Sequence, residues 1–259
     1  MQIKDLQEIS EKLIPVFKKA GNIAVELQNK KIKIIQKSDG TPVTNGDLEA
    51  NKILVEAIKT LTPSIPIVSE ETINLKEQNI YKTFWLIDPI DGTRDYIEQR
   101  SEYTINAALI IEKNPEIGLI NAPKKDRMFF SYGKSHAFEI SDNKKITLDC
   151  KKKTEEGKIF ALTHNRNPSE KISDFLKKNK VFKITKMSSS LKFCIIAAGE
   201  ADIYACEPRA FEWDIAAGHA IVKHSGGIVT SHDGEEIFYG KSGFKNPALV
   251  VKRSLLLEK

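Results

Sequence analysis

Residues 84–93, Phe-Trp-Leu-Ile-Asp-Pro-Ile-Asp-Gly-Thr, constrain this chain more than any other ten. Four successive apolar residues run into Asp88, Pro89, Asp91 and a Gly-Thr pair. A short unbroken apolar run reads as a strand buried on both faces. Proline has no amide hydrogen for a ladder, which predicts that the strand stops at Asp88. The fold must therefore deliver two carboxylates, three positions apart, at the end of a core strand. Holding them together is unfavourable, since like charges repel and both lose water, unless a cation neutralises them. Oxygen-only ligation suits a hard divalent ion such as Mg²⁺. Asp-Pro and Asp-Gly are also ordinary turn formers, so this run alone leaves the turn reading open.

The 259 residues allow one large domain or two small ones, and either buries a substantial core. No apolar run nears the roughly 20 residues of a bilayer span, so no membrane insertion is expected. Residues 1–28 place Leu6, Ile9, Leu13, Phe17 and Ala24 on one helical face, interspersed with Asp5, Glu8, Glu11 and Lys12. That pattern predicts an amphipathic helix rather than a targeting segment. Cys150, Cys194 and Cys206 have no CxxC spacing and predict buried thiols without a disulfide framework, which fits a reducing cytoplasm. The net charge is +5, with lysines clustered at 144–158 and 177–186. No aromatics or Arg-Gly segments interleave with them, so they read as solvated surface and no nucleic-acid polymer is expected as partner. A mildly positive field favours a small polyanionic substrate. The rival class is a non-catalytic module whose lysines bind RNA or another anion.

Along the first half, strands are predicted near 31–37, 65–68, 84–87, 103–111, 116–122, 128–132 and 137–140. A turn-rich loop spans 37–42, and a helix over 47–59 turns Leu48, Leu54, Val55 and Ile58 inward. Beyond residue 150, strands near 159–162, 182–184, 201–204 and 227–230 alternate with helices near 169–179, 190–198 and 213–224. This alternation predicts a second layer set, with domains at 1–150 and 151–259.

Three segments end in acids: Ser69-Glu70-Glu71, the Asp88–Asp91 run, and Trp213-Asp214 ahead of Ala216, Ala217, Gly218 and Ala220. Each has an ordinary reading by itself. Glu70-Glu71 is then a solvated pair and Asp214 a helix N-cap. In this order and with these neighbours, the three motifs resemble those of the inositol monophosphatase superfamily of metal-dependent, lithium-sensitive sugar and nucleotide phosphatases. The resemblance covers nearly the whole chain. It implies an α+β fold, a layered αβαβα sugar-phosphatase-like arrangement of two sub-domains, each with a sheet packed against helices.

The same resemblance implies a ligand set. Glu70, Asp88 and the Ile90 carbonyl would hold one Mg²⁺, and Asp88, Asp91 and Asp214 a second, with a third site admitted near Glu70. Two cations about 3.5–4 Å apart stabilise the attacking and leaving oxygens of an in-line phosphoryl displacement and acidify the attacking water. Asp47 would polarise Thr93, and Thr93 would orient the water; a plain helix cap at Thr93 is compatible with that role. Glu70, Ile90, Asp91, Gly92, Thr93 and Asp214 would all face the phosphate, with Gly92 letting the backbone approach it. The intact acidic set argues against the non-catalytic alternative.

Substrate choice falls to the C-terminal half. Ser188-Ser189-Ser190-Leu191-Lys192-Phe193-Cys194 and Glu212 to Ala220 look like the corresponding elements of the CysQ-type 3′(2′),5′-bisphosphate nucleotidases. Those enzymes serve sulfur assimilation and hydrolyse 3′-phosphoadenosine 5′-phosphate to AMP and phosphate. Ser189 and Lys192 would grip the second phosphate, although Lys192 also reads as a surface lysine on an amphipathic helix. The chain departs from that pattern in three places. Ser188 replaces a glycine; Ala205-Cys206 follow Tyr204 where Pro-Arg is usual, leaving Arg209 as a substitute; and Glu207 stands where inositol monophosphatases contact a sugar hydroxyl. The alternative substrates are therefore inositol phosphate and fructose 1,6-bisphosphate. His164 reads either as a ligand contact or as a satisfied surface histidine, and His219 as a packing residue. A homodimer is common in the superfamily, but no residue read here marks an interface.

Overall fold

The structure is a computed structural model that describes residues 1–37, 40–74, 81–151 and 157–253. Ser38 and Asp39 of the expected turn, and residues 152–156 of the lysine-rich stretch, lie outside these ranges.

Amphipathic periodicity sets the first layer. Helix α1 (Ile3–Lys30) buries Leu6, Leu13, Phe17, Ala20 and Ala24 along one side. Burying each Leu or Phe contributes about 1.5–3 kcal/mol. After it, β1 (Ile34–Gln36) and β2 (Pro42–Thr44) form a small antiparallel hairpin with Ile35 opposite Val43. Helix α2 (Asn45–Leu61) follows, started by a capping box in which the Thr44 hydroxyl accepts from the amides of Gly46 and Asp47. Its buried residues include Asp47, Ala50, Asn51, Leu54 and Ile58, which recur at helical spacing along one face. Leu48 lies off that face and is exposed, against expectation.

Helices α1 and α2 cover one face of a seven-stranded sheet. Its order is β3 (Ile67–Ser69), β4 (Phe84–Asp91), β5 (Thr104–Ile111), β6 (Asn114–Ala122), β7 (Arg127–Ser131), β8 (Ala137–Ser141) and β9 (Lys144–Thr147). Only β3 and β4 pair in parallel. Strand β4 does not stop at Asp88. It runs through Pro89 to Asp91, while its register against β5 slips between Asp88↔Asn106 and Asp91↔Thr104. On the other side β3 ends at Ser69, opposite Ile87, so no ladder there needs the amide that proline lacks. The short helix α3 (Thr93–Ile97) then turns the chain away.

The second sheet, in order β11-β10-β12-β14-β13, comprises β10 (Phe160–Thr163), β11 (Lys183–Lys186), β12 (Ile203–Cys206), β13 (Ile228–Ser231) and β14 (Leu249–Lys252). Helix α4 (Glu170–Lys178) covers its outer face through Ile172 and Leu176. Helices α5 (Leu191–Ala197) and α6 (Glu212–His224) fill the space between the two sheets and share one core with both. The small residues of α6 permit a close approach to β6. A Cβ on Gly118 would stand 2.3 Å from the Ala217 carbonyl oxygen, so only glycine fits there. The layers run helix pair, sheet, helix pair, sheet, helix: an αβαβα arrangement.

Candidate active site

The end of β4, the end of β3 and the first turn of α6 meet at one edge of the sheets. Glu70 follows β3, and its amide donates to the Ile87 carbonyl (3.1 Å), which holds it beside β4. Glu70, Asp88 and Asp214 each place a carboxylate oxygen within 4.8 Å of the others. Asp214 is the third residue of α6 rather than its N-cap, and its Oδ2 accepts the Phe211 amide (2.8 Å). Asp91 joins from the end of β4, its Oδ2 accepting from the Ser190 amide (2.5 Å) and lying 2.6 Å from the Ser190 hydroxyl.

Electrostatics make this cluster a candidate cation site. Asp88 is 1 % exposed, and its Oδ1 has no hydrogen-bond partner. Burial holds the Asp88 carboxyl well above the usual range, and the charges of Glu70, Asp91 and Asp214 add to the rise. Asp214 is raised in the same way, by burial and then by Asp91 and Glu70. Acids that destabilise one another's ionised forms, with a buried oxygen left unpartnered, are a donor set suited to a hard divalent cation. Glu70 is not solvated as a lone pair with Glu71 would be. Lys37 Nζ lies 3.2 Å from Glu70 and 2.9 Å from Glu71, partly offsetting the rise that burial imposes on Glu70.

Beside the acids, the Thr93 hydroxyl stands 3.4 Å from Asp47 Oδ1 and 3.2 Å from the Ile90 carbonyl oxygen. Asp47 is itself fixed by the capping box, its Oδ2 accepting from the Thr44 amide (2.8 Å) and hydroxyl (2.5 Å). Burial pushes its carboxyl up to about 6, against those hydrogen bonds. Gly92, between the acids and Thr93, has φ of +93°, a left-handed conformation that a side chain would strain.

Glu70, Asp91, Gly92, Thr93 and Asp214 line a cleft of about 350 Å³ together with the cationic Lys192 and Arg209. Lys192 on α5 is no surface lysine: it is 3 % exposed, its ammonium donates to the Ser189 carbonyl and lies 5.2 Å from the Tyr204 ring centre. Burial brings Lys192 down to about 8, with Asp91 opposing and Arg209 reinforcing. His164 is brought down to about 4 by burial and by the nearby Arg209, Lys192 and Lys186 charges, so it is neutral at pH 7. Ser189 and Arg209 also line this cleft.

Glu207 does not join them. It lines a smaller pocket behind His164 and Arg209 and accepts from the Ser169 hydroxyl (2.5 Å). His219 packs in the core, with Nδ1 2.9 Å from the Tyr239 hydroxyl oxygen. Three further groups stand at the site, Lys37, Thr44 and Asn106, and sequence reasoning does not single them out; Ser190, read with its neighbouring serines as a donor to the second phosphate, turns to Asp91 and the Asp214 carbonyl instead. Thr44-x-x-Asp47 carries a readable capping signal, whereas a lysine in a turn-rich loop carries none.

Comparison with known proteins agrees with this geometry. The sequence profile of the inositol monophosphatase family matches residues 5–258. A 3′(2′),5′-bisphosphate nucleotidase CysQ of Buchnera aphidicola is 35% identical over 243 residues, 91% of this chain and 89% of the relative. The Salmonella typhimurium enzyme of the same name is 30% identical over 93% of this chain and 98% of its own. Among solved structures, CysQ from Bacteroides thetaiotaomicron superposes with a TM-score of 0.78 at 26% identity, covering 93% of this chain and 96% of that one.

Proposed function

The chain belongs to the inositol monophosphatase family, and from that premise we propose that it is a Mg²⁺-dependent 3′(2′),5′-bisphosphate nucleotidase that converts 3′-phosphoadenosine 5′-phosphate to AMP and phosphate. One observation carries the substrate: beside its acids the cleft is lined by two cations, Arg209 and a buried ammonium, Lys192. A substrate with two separated phosphates satisfies both sets, one phosphate on the metal ions that the acids would hold and the other on these cations. The CysQ relatives named above act on such bisphosphates.

Glu70, Asp88, Asp91, Asp214 and the Ile90 carbonyl are the groups that would hold two Mg²⁺. Lys37 already gives Glu70 a cationic neighbour, which favours two ions over three. When bound, such ions polarise the phosphoryl oxygens and the attacking water. The protein's own part is proton handling and orientation. Thr93 Oγ1 accepts a hydrogen bond from the water and donates its own proton toward Asp47 Oδ1. A carboxyl near 6 is ionised at neutral pH yet basic enough to draw that proton, as general base assistance requires. Lys192, Ser189 and Arg209 orient the second phosphate, and neutral His164 can offer a ring N–H without adding charge. The three cysteines are all buried and unpaired, which supports a reducing cytoplasm as the setting.

The polyol reading rests on Glu207, and that carboxylate is engaged by Ser169 in the side pocket. Phosphate release from 3′-phosphoadenosine 5′-phosphate, inositol 1-phosphate and fructose 1,6-bisphosphate, measured side by side in Mg²⁺, tests the proposal. The nucleotide is expected to give the highest kcat/KM, and a higher value for inositol phosphate would overturn it. Lithium is expected to inhibit.

A further inference from the structure

Ser190 occupies the N-cap position of α5, yet its side chain caps nothing there. Only 2 % exposed, its hydroxyl is also denied to solvent. It turns instead toward the acids. Oγ lies 2.6 Å from Asp91 Oδ2 and 2.5 Å from the Asp214 carbonyl oxygen, while Asn106 Nδ2 donates to it (3.0 Å). The Ser190 amide adds a second donor to the same Asp91 oxygen (2.5 Å). A hydroxyl has one proton and two lone pairs, so Ser190 donates to one of its two oxygen neighbours at a time and accepts from Asn106. The ionised carboxylate is the stronger acceptor.

We infer that Ser190 is a positioning residue for the metal centre, bracing Asp91 and Asp214 against each other across the two halves of the fold. The inference rests on the reading of these acids as Mg²⁺ ligands. Asp91 lies just past the register slip in β4, where the ladder no longer fixes the backbone as firmly. The Ser190 amide holds Oδ2 throughout, which sets the carboxylate's rotation and leaves Oδ1 for a cation. The hydroxyl reinforces that hold or turns its one proton to the Asp214 carbonyl, so a single residue is tied both to the end of β4 and to the first turn of α6. Groups that orient a ligand in this way typically govern about 10–100-fold in metal affinity.

The test is calorimetric titration of the whole protein with MgCl₂, beside thermal melting in chelator. Ser190→Ala is expected to weaken Mg²⁺ binding about tenfold or more, and Ser190→Thr, which keeps the hydroxyl, to recover most of it. Asn106→Ser leaves Ser190 in place but removes the amide that orients it, and a smaller weakening is expected; this variant carries the test if Ser190→Ala does not fold. Ser225→Ala is the control. Its buried hydroxyl donates to the Val222 carbonyl (2.9 Å) at the other end of α6, so it should lower the melting temperature without changing Mg²⁺ affinity. Unchanged affinity in both Ser190→Ala and Asn106→Ser overturns the brace while leaving the metal centre standing. An unsubstituted protein that binds no Mg²⁺ overturns the metal centre and the brace together.

Discussion

The two walls of the cleft are built differently. The acidic wall grows out of β4, in which every residue from Phe84 to Ile90 is buried. Its carboxylates are placed by a core strand, a bulge and a helix start, and their positions cannot change without disturbing the packing beneath. The cationic wall is assembled from α5, the segment after β10 and a loop before α6. Its cations are buried Lys192 and exposed Arg209, with half-buried, neutral His164 beside them. Exposed Arg209 can be exchanged at little cost to the core, whereas Lys192 is held by the packing of α5. The departure at Ala205-Cys206 lies instead in buried β12, beside the smaller pocket that Glu207 lines, and leaves the acids untouched. Chemistry is tied to the fold throughout, while substrate grip is tied to the fold at Lys192 and to the surface at Arg209.

The largest expected effects break the acidic wall. Asp91→Asn should lower kcat by about 10³-fold or more on every phosphate ester tried, since it removes a charge from the cation site; circular dichroism checks that the fold survives. Thr93→Ala should lower kcat by about 10²–10³-fold with KM little changed, because it interrupts the path from water to Asp47. Equal loss on all substrates would sharpen the contrast, and a substrate-dependent loss would break it.

Changes on the cationic wall should discriminate between substrates. Lys192→Met is expected to cost about 10–100-fold in kcat/KM for the bisphosphate, the worth of a charged hydrogen bond, and much less for 3′-AMP, which lacks the second phosphate. A pH profile gives the same contrast. Lys192 titrates at about 8 in the free protein and is charged below that value. KM for the bisphosphate should therefore rise as pH passes above 8, and the rise should vanish in Lys192→Met. The smallest effect is expected at Glu207→Gln, within about threefold on the bisphosphate, because the side chain lies outside the cleft. A large loss there would return the site to the polyol reading.

What can be read in the sequence follows the same division. The apolar run before Asp88 and the acids after it announce themselves, since a core strand that ends in paired charge needs something to neutralise it. The extension through Pro89 is not legible, because it depends on where the neighbouring strand β3 happens to end. Strand β9 escapes a sequence reading because all four of its residues are exposed and two are lysines, a composition that signals surface rather than pairing. Strand β14 is only four residues long, and its antiparallel place between β12 and β13 is set by distant segments. Lys192 shows the clearest limit. A lysine at a helix start reads as solvated, and only the packing of α5 between two sheets buries it. Leu48 fails in the opposite sense, an apolar residue left outside because α2 turns its other face to the sheet.

The placement of α6 has a consequence for biosynthesis. This helix is at once part of the filling between the sheets and the carrier of Asp214, and in the chain it comes well after Glu70, Asp88 and Asp91. A nascent or truncated chain that ends before it holds Glu70, Asp88 and Asp91 but leaves one face of the first sheet bare. The acidic centre and the cover of the first sheet are therefore completed in the same step, ahead of the closing of the second sheet by β13 and β14. A cell making this protein should accumulate no half-built hydrolase loose among its nucleotides, and its appearance as a catalyst doubles as a report that this helix has docked.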